Sequence, residues 1–365
     1  MMLCANPTAQ FKSHQTEIEE AVLSVMRSNC YVLGNEVEKL EQEFAHFIGT
    51  SEAIGVANGT DAIELALRAL EIGLGDEVIT VSHTAVATIA AIEAAGADPV
   101  VVDIEPEFYS LSPSQLEEVF TPRVKAVIAV HLYGQSVDLD EISKFCKQND
   151  LFLIEDVSQA HGARYKGKRL GSIGHVNCFS CYPTKNLGAI GDAGLITTNS
   201  AELAMKLRML REYGWHNRIS EFPGRNSRLD ELQAAILRVK LKYLDESNEK
   251  RRQLAEYYIN HLAELPIQLP KIRSEAEAVF HLFVIKVNNR PEMMRYMLER
   301  GFQLGIHYAV PVHSQAAYKD RIRTAKDMHV TDDVAQKIVS LPIYPELTTL
   351  EVDSVVNSIK AYFGK

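Results

Sequence analysis

The segment EAIGVANGTDAIELALRAL (residues 52–70) contains the pattern that decides the fold. Its first seven residues are mostly apolar at consecutive positions, which is typical of a strand covered on both faces. After Asn58, apolar side chains recur at i, i+3, i+4 and i+7 from Ile63, which is the spacing of one helix face. A buried strand followed directly by a helix is the repeating unit of a parallel sheet with helices on both faces.

Further runs of the same kind extend this pattern along the chain and predict a mostly parallel, seven-stranded sheet. They are DEVITVS (76–82), DPVVVDI (98–104), VKAVIAV (124–130), LFLIED (151–156), VNCFSCY (176–182) and AGLITT (193–198). We assign residues 1–245, with an N-terminal helical segment, to a large α/β domain. Residues 246–365 are expected to form a smaller α+β domain.

The pattern changes after the last predicted strand of the sheet. A long helix is predicted from Arg228 to about Leu262, because apolar residues continue at helical spacing. It is followed by a predicted strand, AVFHLFVIKV (278–287), and by a helix that starts at Arg290. Gly301 is a plausible C-terminal cap for that last helix.

Composition and charge exclude several classes of protein. The chain has 365 residues, 46% hydrophobic and 24% charged, which excludes a disordered or fibrous protein. No stretch approaches the roughly 18 apolar residues of a membrane-spanning helix, and the first residues do not resemble an export signal. The net charge of −10 disfavours binding to a nucleic-acid backbone. Five sparse cysteines predict reduced thiols and a cytoplasmic location.

Two polar segments follow predicted strands at positions where ligands bind in α/β proteins. Asn58, Gly59, Thr60 and Asp61 lie at the start of a helix, where free N–H groups favour a phosphate. The alternative is a simple polar cap. Asp156 ends a buried strand at the sheet edge where open α/β sheets bind ligands, although it too could cap the next helix.

A lysine and a polar loop form the second half of the predicted site. Lys185 follows an apolar strand and precedes a glycine-rich loop, so a buried position would make its amine nucleophilic and suited to Schiff-base chemistry. A solvated surface charge is the alternative. Asn226 and Arg228 precede a predicted helix, where they could also be a cap and a surface cation.

The cysteine and histidine patterns do not indicate a metal site. Cys178 and Cys181 are three residues apart in a predicted strand, so their side chains point to opposite faces, and no second pair exists. We expect them to pack in the core. The twelve histidines include no HExxH motif, which leaves a metal hydrolase without support.

Four segments, taken in order, resemble the motifs of the DegT/DnrJ/EryC1/StrS family of sugar aminotransferases. They are NGTDAIEL, IEDVSQAHGA, FSCYPTKNLGAIGDAG and NSRLDELQAA, and the resemblance extends from residues 31–49 to residues 341–355. It implies an aspartate aminotransferase-like fold of type I. It also implies pyridoxal 5'-phosphate as cofactor and a nucleotide-linked keto-sugar as substrate.

The resemblance assigns a role to each motif residue. Lys185 matches the lysine that binds the cofactor covalently and later moves a proton. Asp156 matches the acid that pairs with the pyridinium nitrogen and keeps it protonated. Gln159 matches the residue beside the phenolic oxygen of the cofactor. The residues that match the phosphate cradle are Gly59, Thr60 and Ser180.

A dimer with shared sites follows from the same resemblance. Asn226 matches an asparagine that reaches the phosphate from the neighbouring subunit, and Arg228 lies in the same loop as a candidate for anionic groups. One position departs from the family: Ala85 stands where many members have an aromatic ring that stacks on the cofactor. We expect His83, two residues earlier, to stack instead. A roomier pocket is the alternative.

The substrate is also suggested by resemblance. The VSHTAVAT and YVLG segments resemble those of members that act at C-3 of a dTDP-linked 6-deoxyhexose, with C-4 enzymes as the alternative. L-Glutamate is the expected amino donor. Tyr182, His307 and His313 match positions that contact the sugar, although they could instead be a packed tyrosine and satisfied turn histidines. Competing functions are a non-enzymatic regulator, another pyridoxal-phosphate reaction and a metal hydrolase.

Overall fold

The computed structural model describes residues 1–364 and contains an eight-stranded, mostly parallel sheet. All strands are parallel to their neighbours except Gly194–Thr198, which is antiparallel to both. Across the sheet the order is Arg323–Thr324, Asp98–Val102, Glu77–Val81, Val124–Val130, Phe152–Asp156, Val176–Ser180, Gly194–Thr198 and Glu52–Val56.

Each of the seven predicted strands is present, and the predicted α/β architecture with a mostly parallel sheet is confirmed. The predicted count of seven is one strand short. The additional edge strand, Arg323–Thr324, comes from the C-terminal part of the chain and pairs with Asp98–Val102. It has only two residues, so it carries no periodicity that a sequence pattern could reveal.

Helices cover both faces of the sheet and bury their apolar sides against it. The helix Gly59–Ala69 is buried along most of its length, and all but two of its eleven residues are buried. The α-helices are Pro7–Ser13, Gln15–Arg27, Asn35–Ile48, Gly59–Ala69, Val86–Ala95, Leu116–Val119, Leu139–Gln148, Ala201–Leu210, Glu231–Leu241, Leu244–Leu262, Arg290–Glu299, His329–Lys337 and Thr349–Tyr362. Short 3-10 helices are Pro113–Gln115, Leu132–Gly134 and Val312–Ser314.

A second hydrophobic core lies in the C-terminal part of the chain. There the antiparallel pair Phe283–Lys286 and Ile338–Leu341 packs with three helices around Tyr258, Phe283 and Met297. The N-terminal strand Met2–Leu3 joins this region by pairing with Phe302–Gln303. The other short strands are Arg164–Tyr165, Lys168–Arg169 and Ala276–Glu277 in one sheet, and Trp215–His216 with Ile219–Ser220 in a hairpin.

Two elements differ from their predicted lengths. The helix predicted from Arg228 is two helices, because the chain turns at Lys242 and Tyr243 between Leu241 and Leu244. The second helix, Leu244–Leu262, includes residue 245. The division of the chain into two domains at that residue stays a prediction. The predicted strand 278–287 is reduced to Phe283–Lys286, since only those residues find a strand partner.

The helix that starts at Arg290 ends as expected. Arg290–Glu299 is followed by Gly301, whose φ of +86° is the left-handed conformation that glycine adopts without strain. Among residues 1–364, no helix combines the length and the apolar character needed to cross a bilayer.

Candidate active site

One large cavity opens at the carboxyl edge of the sheet, where ligands bind in open α/β folds. Its volume is about 580 Å³, which is within the usual range for sites that hold a cofactor and a small substrate. Eight of the predicted site residues line it: Gly59, Thr60, Asp156, Gln159, Ser180, Tyr182, Lys185 and His307. The fold therefore brings together motifs that lie far apart in the sequence.

The helix that begins at Gly59 forms an anion cradle at one end of the cavity. The Asn58 side chain caps it by accepting the Asp61 N–H at 2.8 Å, which leaves the N–H groups of Gly59 and Thr60 without an intrahelical partner. A Cβ atom on Gly59 would lie 2.5 Å from Cβ of Ser180. The backbone can therefore approach the Ser180 hydroxyl closely, and together these groups suit a phosphate.

Asp156 supplies a buried carboxylate at the floor of the cavity. Its Oδ1 accepts the Ser158 N–H and its Oδ2 accepts the Thr88 hydroxyl, both at 3.1 Å. These bonds fix the orientation of an acceptor-only group that is 5% exposed. Such a carboxylate can hold a protonated ring nitrogen by a charge-assisted hydrogen bond.

Lys185 lines the same cavity, and the pKa of its amine is lowered there. Burial lowers the pKa of its amine from 10.5 to about 8, although the nearby carboxylate of Asp156 acts in the opposite direction. Desolvation is the larger effect because it disfavours the ammonium form directly. A substantial fraction of Lys185 is therefore a neutral nucleophile at mildly alkaline pH.

This pKa predicts how the reactivity of Lys185 depends on pH in the cofactor-free protein. The amine becomes neutral as pH rises through about 8, so reductive methylation of Lys185 should reach half its maximal rate there. An ordinary lysine reaches that point near pH 10.4. Peptide mapping by mass spectrometry measures the rate, and an inflection near the ordinary value would contradict the prediction.

Gln159 is held by residues that the sequence analysis did not identify. Its Oε1 accepts the backbone N–H of Tyr133 at 2.8 Å, and its Nε2 donates to the hydroxyl of Tyr308 at 3.1 Å. The Tyr133 hydroxyl donates in turn to the backbone carbonyl of His307. The segment around His307 is thereby tied across the cavity to the large sheet.

Four functional neighbours were missed, and two of them left a signal in the sequence. Tyr308 directly follows His307 in GIHYAVPVH, and His281 is a polar residue within the apolar run AVFHLFVIKV. Thr88 and Tyr133 left no comparable signal. Their roles depend on contacts to Asp156 and Gln159 that only the fold creates.

The structure does not place His83 where a stacking ring would be needed. His83 is buried outside the cavity lining, its Nε2 lies 2.6 Å from the Tyr133 hydroxyl, and its ring packs edge-on against Tyr109. The strand ends at Val81, so the alternation that would put residues 83 and 85 on one face does not continue. Ala85 lines the cavity instead, and His83 does not reach a position from which its ring could stack on a ligand there.

His313 also lies outside the cavity. Its Nδ1 is 2.7 Å from the Ser82 hydroxyl and its Nε2 is 3.4 Å from Asp332. These contacts are those of a satisfied turn histidine, the alternative to sugar binding. Cys178 and Cys181 are fully buried in the core.

Asn226 and Arg228 lie on the loop that precedes the helix Glu231–Leu241. Asn226 is exposed, and Arg228 contacts Glu212 at 3.3 Å and lies 5.8 Å from the centre of the Tyr213 ring. Neither residue lines the cavity described above. Within one subunit the cradle at Gly59 is therefore built without them.

Comparison with known proteins places these features in a family. Residues 12–360 match the DegT/DnrJ/EryC1/StrS aminotransferase family. The chain is 47% identical to dTDP-3-amino-3,6-dideoxy-alpha-D-galactopyranose transaminase of Aneurinibacillus thermoaerophilus, over 96% of each chain. It is 41% identical to dTDP-3-amino-3,4,6-trideoxy-alpha-D-glucose transaminase of Streptomyces venezuelae, over 97% of this chain and 94% of the other.

Solved structures agree with this result. The crystal structure of S. venezuelae DesV is 40% identical and superposes with a TM-score of 0.97, covering 100% of this chain and 98% of DesV. A lysine, an acid and an anion cradle at the carboxyl edge of the sheet are the groups that a pyridoxal-phosphate-dependent enzyme needs. The family match and the relatives make this enzyme an aminotransferase. The chain belongs to the DegT/DnrJ/EryC1/StrS aminotransferase family.

The cavity residues fit the cofactor of this family, pyridoxal 5'-phosphate. The phosphate would be held at Gly59, Thr60 and Ser180, the ring nitrogen at Asp156, and the aldehyde carbon at Lys185. When bound, the cofactor supplies a ring that accepts the electron pair released when a substrate carbon loses its proton. The protein supplies the nucleophilic amine, the fixed carboxylate and the anion cradle.

Proposed function

We propose that the enzyme transfers an amino group from L-glutamate to C-3 of a dTDP-linked 3-keto-6-deoxyhexose, giving a dTDP-3-amino-3,6-dideoxyhexose. The observation that carries this proposal is the 47% identity, over 96% of each chain, to a transaminase named for such a product. Transfer to C-4 of a 4-keto-6-deoxyhexose is the alternative. Mass spectrometry of the products from purified 3-keto and 4-keto substrates tests the choice, because amination of only the 4-keto sugar would exclude the proposal.

Lys185 and Asp156 have different roles in the reaction: Lys185 transfers protons, and Asp156 pairs with the ring nitrogen of the cofactor. The neutral amine of Lys185 takes a proton from the amino donor and returns one to the sugar carbon, as its lowered pKa permits near neutral to alkaline pH. The Asp156 carboxyl group, held by Thr88 and Ser158, would face the ring nitrogen of the bound cofactor. The retained lysine and acid also disfavour a non-enzymatic regulator, which needs neither residue.

Tyr182 and His307 are proposed to contact the sugar. The Tyr182 side chain is 52% exposed in the cavity lining, and Nδ1 of His307 is 2.8 Å from the Ser340 hydroxyl. Burial lowers the pKa of His307 to about 4, with a further contribution from the charge of Lys185. His307 is therefore neutral at physiological pH and can exchange hydrogen bonds with hydroxyl groups.

Substitution of these two residues is expected to affect the sugar step selectively. Tyr182→Phe and His307→Asn should each lower kcat/KM for the keto-sugar about tenfold, as expected for loss of one hydrogen bond to the substrate. Stopped-flow absorbance separates this step from the reaction with glutamate. Wild-type rates with the sugar in either variant would remove that residue from the site.

We further propose a homodimer in which each cavity is completed by the partner subunit. Among the described residues, Lys185 is the one lysine or arginine that lines the cavity, although a nucleotide diphosphate carries negative charge. The loop that carries Asn226 and Arg228 could supply the missing polar and cationic groups to a second copy. Exposed Met26, Tyr31 and Leu232 form an adjoining apolar surface of the kind that subunit interfaces bury.

Mixing two inactive variants tests the shared site. Lys185→Ala and Asn226→Ala should each be inactive as homodimers, whereas a mixed dimer contains one site with both native residues. Random exchange is then expected to restore about a quarter of wild-type activity, since half the dimers are mixed and each has one complete site. Mixtures that stay inactive despite subunit exchange, measured by differential tagging and mass spectrometry, would contradict the proposal.

We also propose that the enzyme acts in the cytoplasm and supplies amino sugars for surface glycans such as lipopolysaccharide O-antigen. All five cysteines are unpaired thiols, and three are buried, which is typical of proteins in a reducing compartment. Lipopolysaccharide, surface-layer and antibiotic assembly all consume sugars of this class.

A further inference from the structure

His281 lies in the wall of the active-site cavity and belongs to a buried amide network. The residue is 7% exposed and lines the same cavity as Lys185 and His307. Its Nδ1 lies 3.2 Å from Oδ1 of Asn186, the residue that follows Lys185. The network therefore begins directly beside the reactive lysine.

The orientation of both amides in this network is fixed by backbone carbonyls, which can only accept hydrogen bonds. Nδ2 of Asn186 donates to the Val279 carbonyl at 3.2 Å and to Oδ1 of Asn248 at 2.8 Å. Nδ2 of Asn248 donates to the His161 carbonyl at 2.8 Å. A reversed Asn186 amide would set its oxygen against the Val279 carbonyl oxygen, so Oδ1 must face His281.

The tautomer of His281 follows from this arrangement. An oxygen that only accepts requires a proton on the facing Nδ1, which leaves a lone pair on Nε2. Burial, together with the nearby charge of Lys185, lowers the pKa of His281 well below its usual value, so the ring stays neutral. Within residues 1–364, the hydrogen bond of the His281 ring is made at Nδ1, which leaves Nε2 available to a ligand. His281 thus presents an acceptor-only nitrogen to the cavity.

We propose that His281 accepts a hydrogen bond from a sugar hydroxyl next to the reacting carbon, and that Asn186 and Asn248 hold it in the required tautomer. This inference rests on the proposed function. The amino donor, glutamate, has no hydroxyl group, so the contact belongs to the sugar step alone. It gives the site a preference for a sugar that retains this hydroxyl over a sugar that lacks it.

His281→Asn is the sharpest variant for this proposal. The asparagine Nδ2 takes the place of the histidine Nδ1 and can still donate to Asn186, so the buried network keeps its partner, whereas the Nε2 acceptor is removed. His46→Asn, on an exposed helix surface, is the matched control. Both are assayed as holoenzymes, with glutamate and keto-sugar as separate half-reactions.

The expected result is a selective loss in one half-reaction. The rate with the hydroxylated 3-keto-sugar should fall about tenfold in His281→Asn, while the rate with glutamate and all rates of His46→Asn stay unchanged. Of the 2-deoxy and 4-deoxy analogues of the sugar, the one that lacks the contacted hydroxyl should be insensitive to the substitution. Equal loss in both half-reactions, or equal sensitivity of both analogues and the parent sugar, overturns the proposal.

A spectroscopic measurement tests the tautomer without turnover. Heteronuclear NMR of histidine-labelled holoenzyme should show the His281 ring neutral and protonated at Nδ1, and the assignment comes from the signal lost in His281→Asn. Protonation at Nε2 would overturn the proposal. Failure of the wild-type enzyme to aminate any 3-keto-sugar would instead overturn the proposed function, so the two failures are distinguishable.

Discussion

Lys185→Arg is expected to abolish both transamination and covalent attachment of the cofactor. Arginine keeps a positive charge in the cavity but provides no neutral amine, because its guanidinium is not deprotonated in proteins. Turnover should fall at least about 10³-fold, since the nucleophile and the proton carrier are lost together. Steady-state kinetics with saturating pyridoxal phosphate measure the loss, and the visible absorbance of the protein reports attachment.

Lys240 provides an internal control for this result. Burial lowers the pKa of its amine to about 8 as well, but its Nζ donates to the Gly188 carbonyl and to Gln10, and it does not line the cavity. After borohydride reduction of the holoenzyme, peptide mapping should find the cofactor on Lys185 and not on Lys240. Label on Lys240, or residual activity of Lys185→Arg above about a thousandth of wild type, would contradict the assignment.

Asp156→Asn is expected to lower kcat strongly without unfolding the protein. Asparagine can still accept the Ser158 N–H, and its amide can reorganise with the Thr88 hydroxyl, so the fold should be retained. The neutral amide cannot keep the ring nitrogen protonated, so kcat should fall by about 10² to 10³, as when other preorganised electrostatic groups are removed. Single-turnover kinetics with glutamate measure the chemical step directly.

Two further variants separate charge from structure at Asp156. Asp156→Glu retains the charge and should recover part of the rate, whereas Asp98→Asn, at an exposed carboxylate paired with Arg123, should behave as wild type. Thermal unfolding shows whether each variant is folded. A folded Asp156→Asn enzyme with wild-type kcat would exclude the carboxylate from the mechanism.

The sequence predicted the large sheet closely because its strands are buried on both faces. Runs such as VKAVIAV are apolar at nearly every position, and the corresponding strand is Val124–Val130. The break between Leu241 and Leu244 was missed because neither proline nor glycine marks it. The edge strand Arg323–Thr324 was missed because two residues are too few for a pattern.

Site residues that stand in sequence motifs were predictable. Residues whose role depends on a tertiary contact were not. Lys185 and Asp156 stand in motifs, and the fold brings both to one cavity. The misplacement of His83 came from extending strand alternation past Val81, where the chain bends. The tautomer of His281 depends on Asn186, which approaches it only in the folded protein.

The visible absorbance of purified protein loaded with pyridoxal phosphate follows both half-reactions of the proposed 3-aminotransferase. The spectrum is followed as L-glutamate is added and, after removal of the amino donor, a dTDP-linked 3-keto-6-deoxyhexose. We expect the band of the bound aldehyde form to disappear with glutamate and to return with the 3-keto-sugar. A band that does not respond to glutamate, or that returns only with a 4-keto-sugar, would contradict the account.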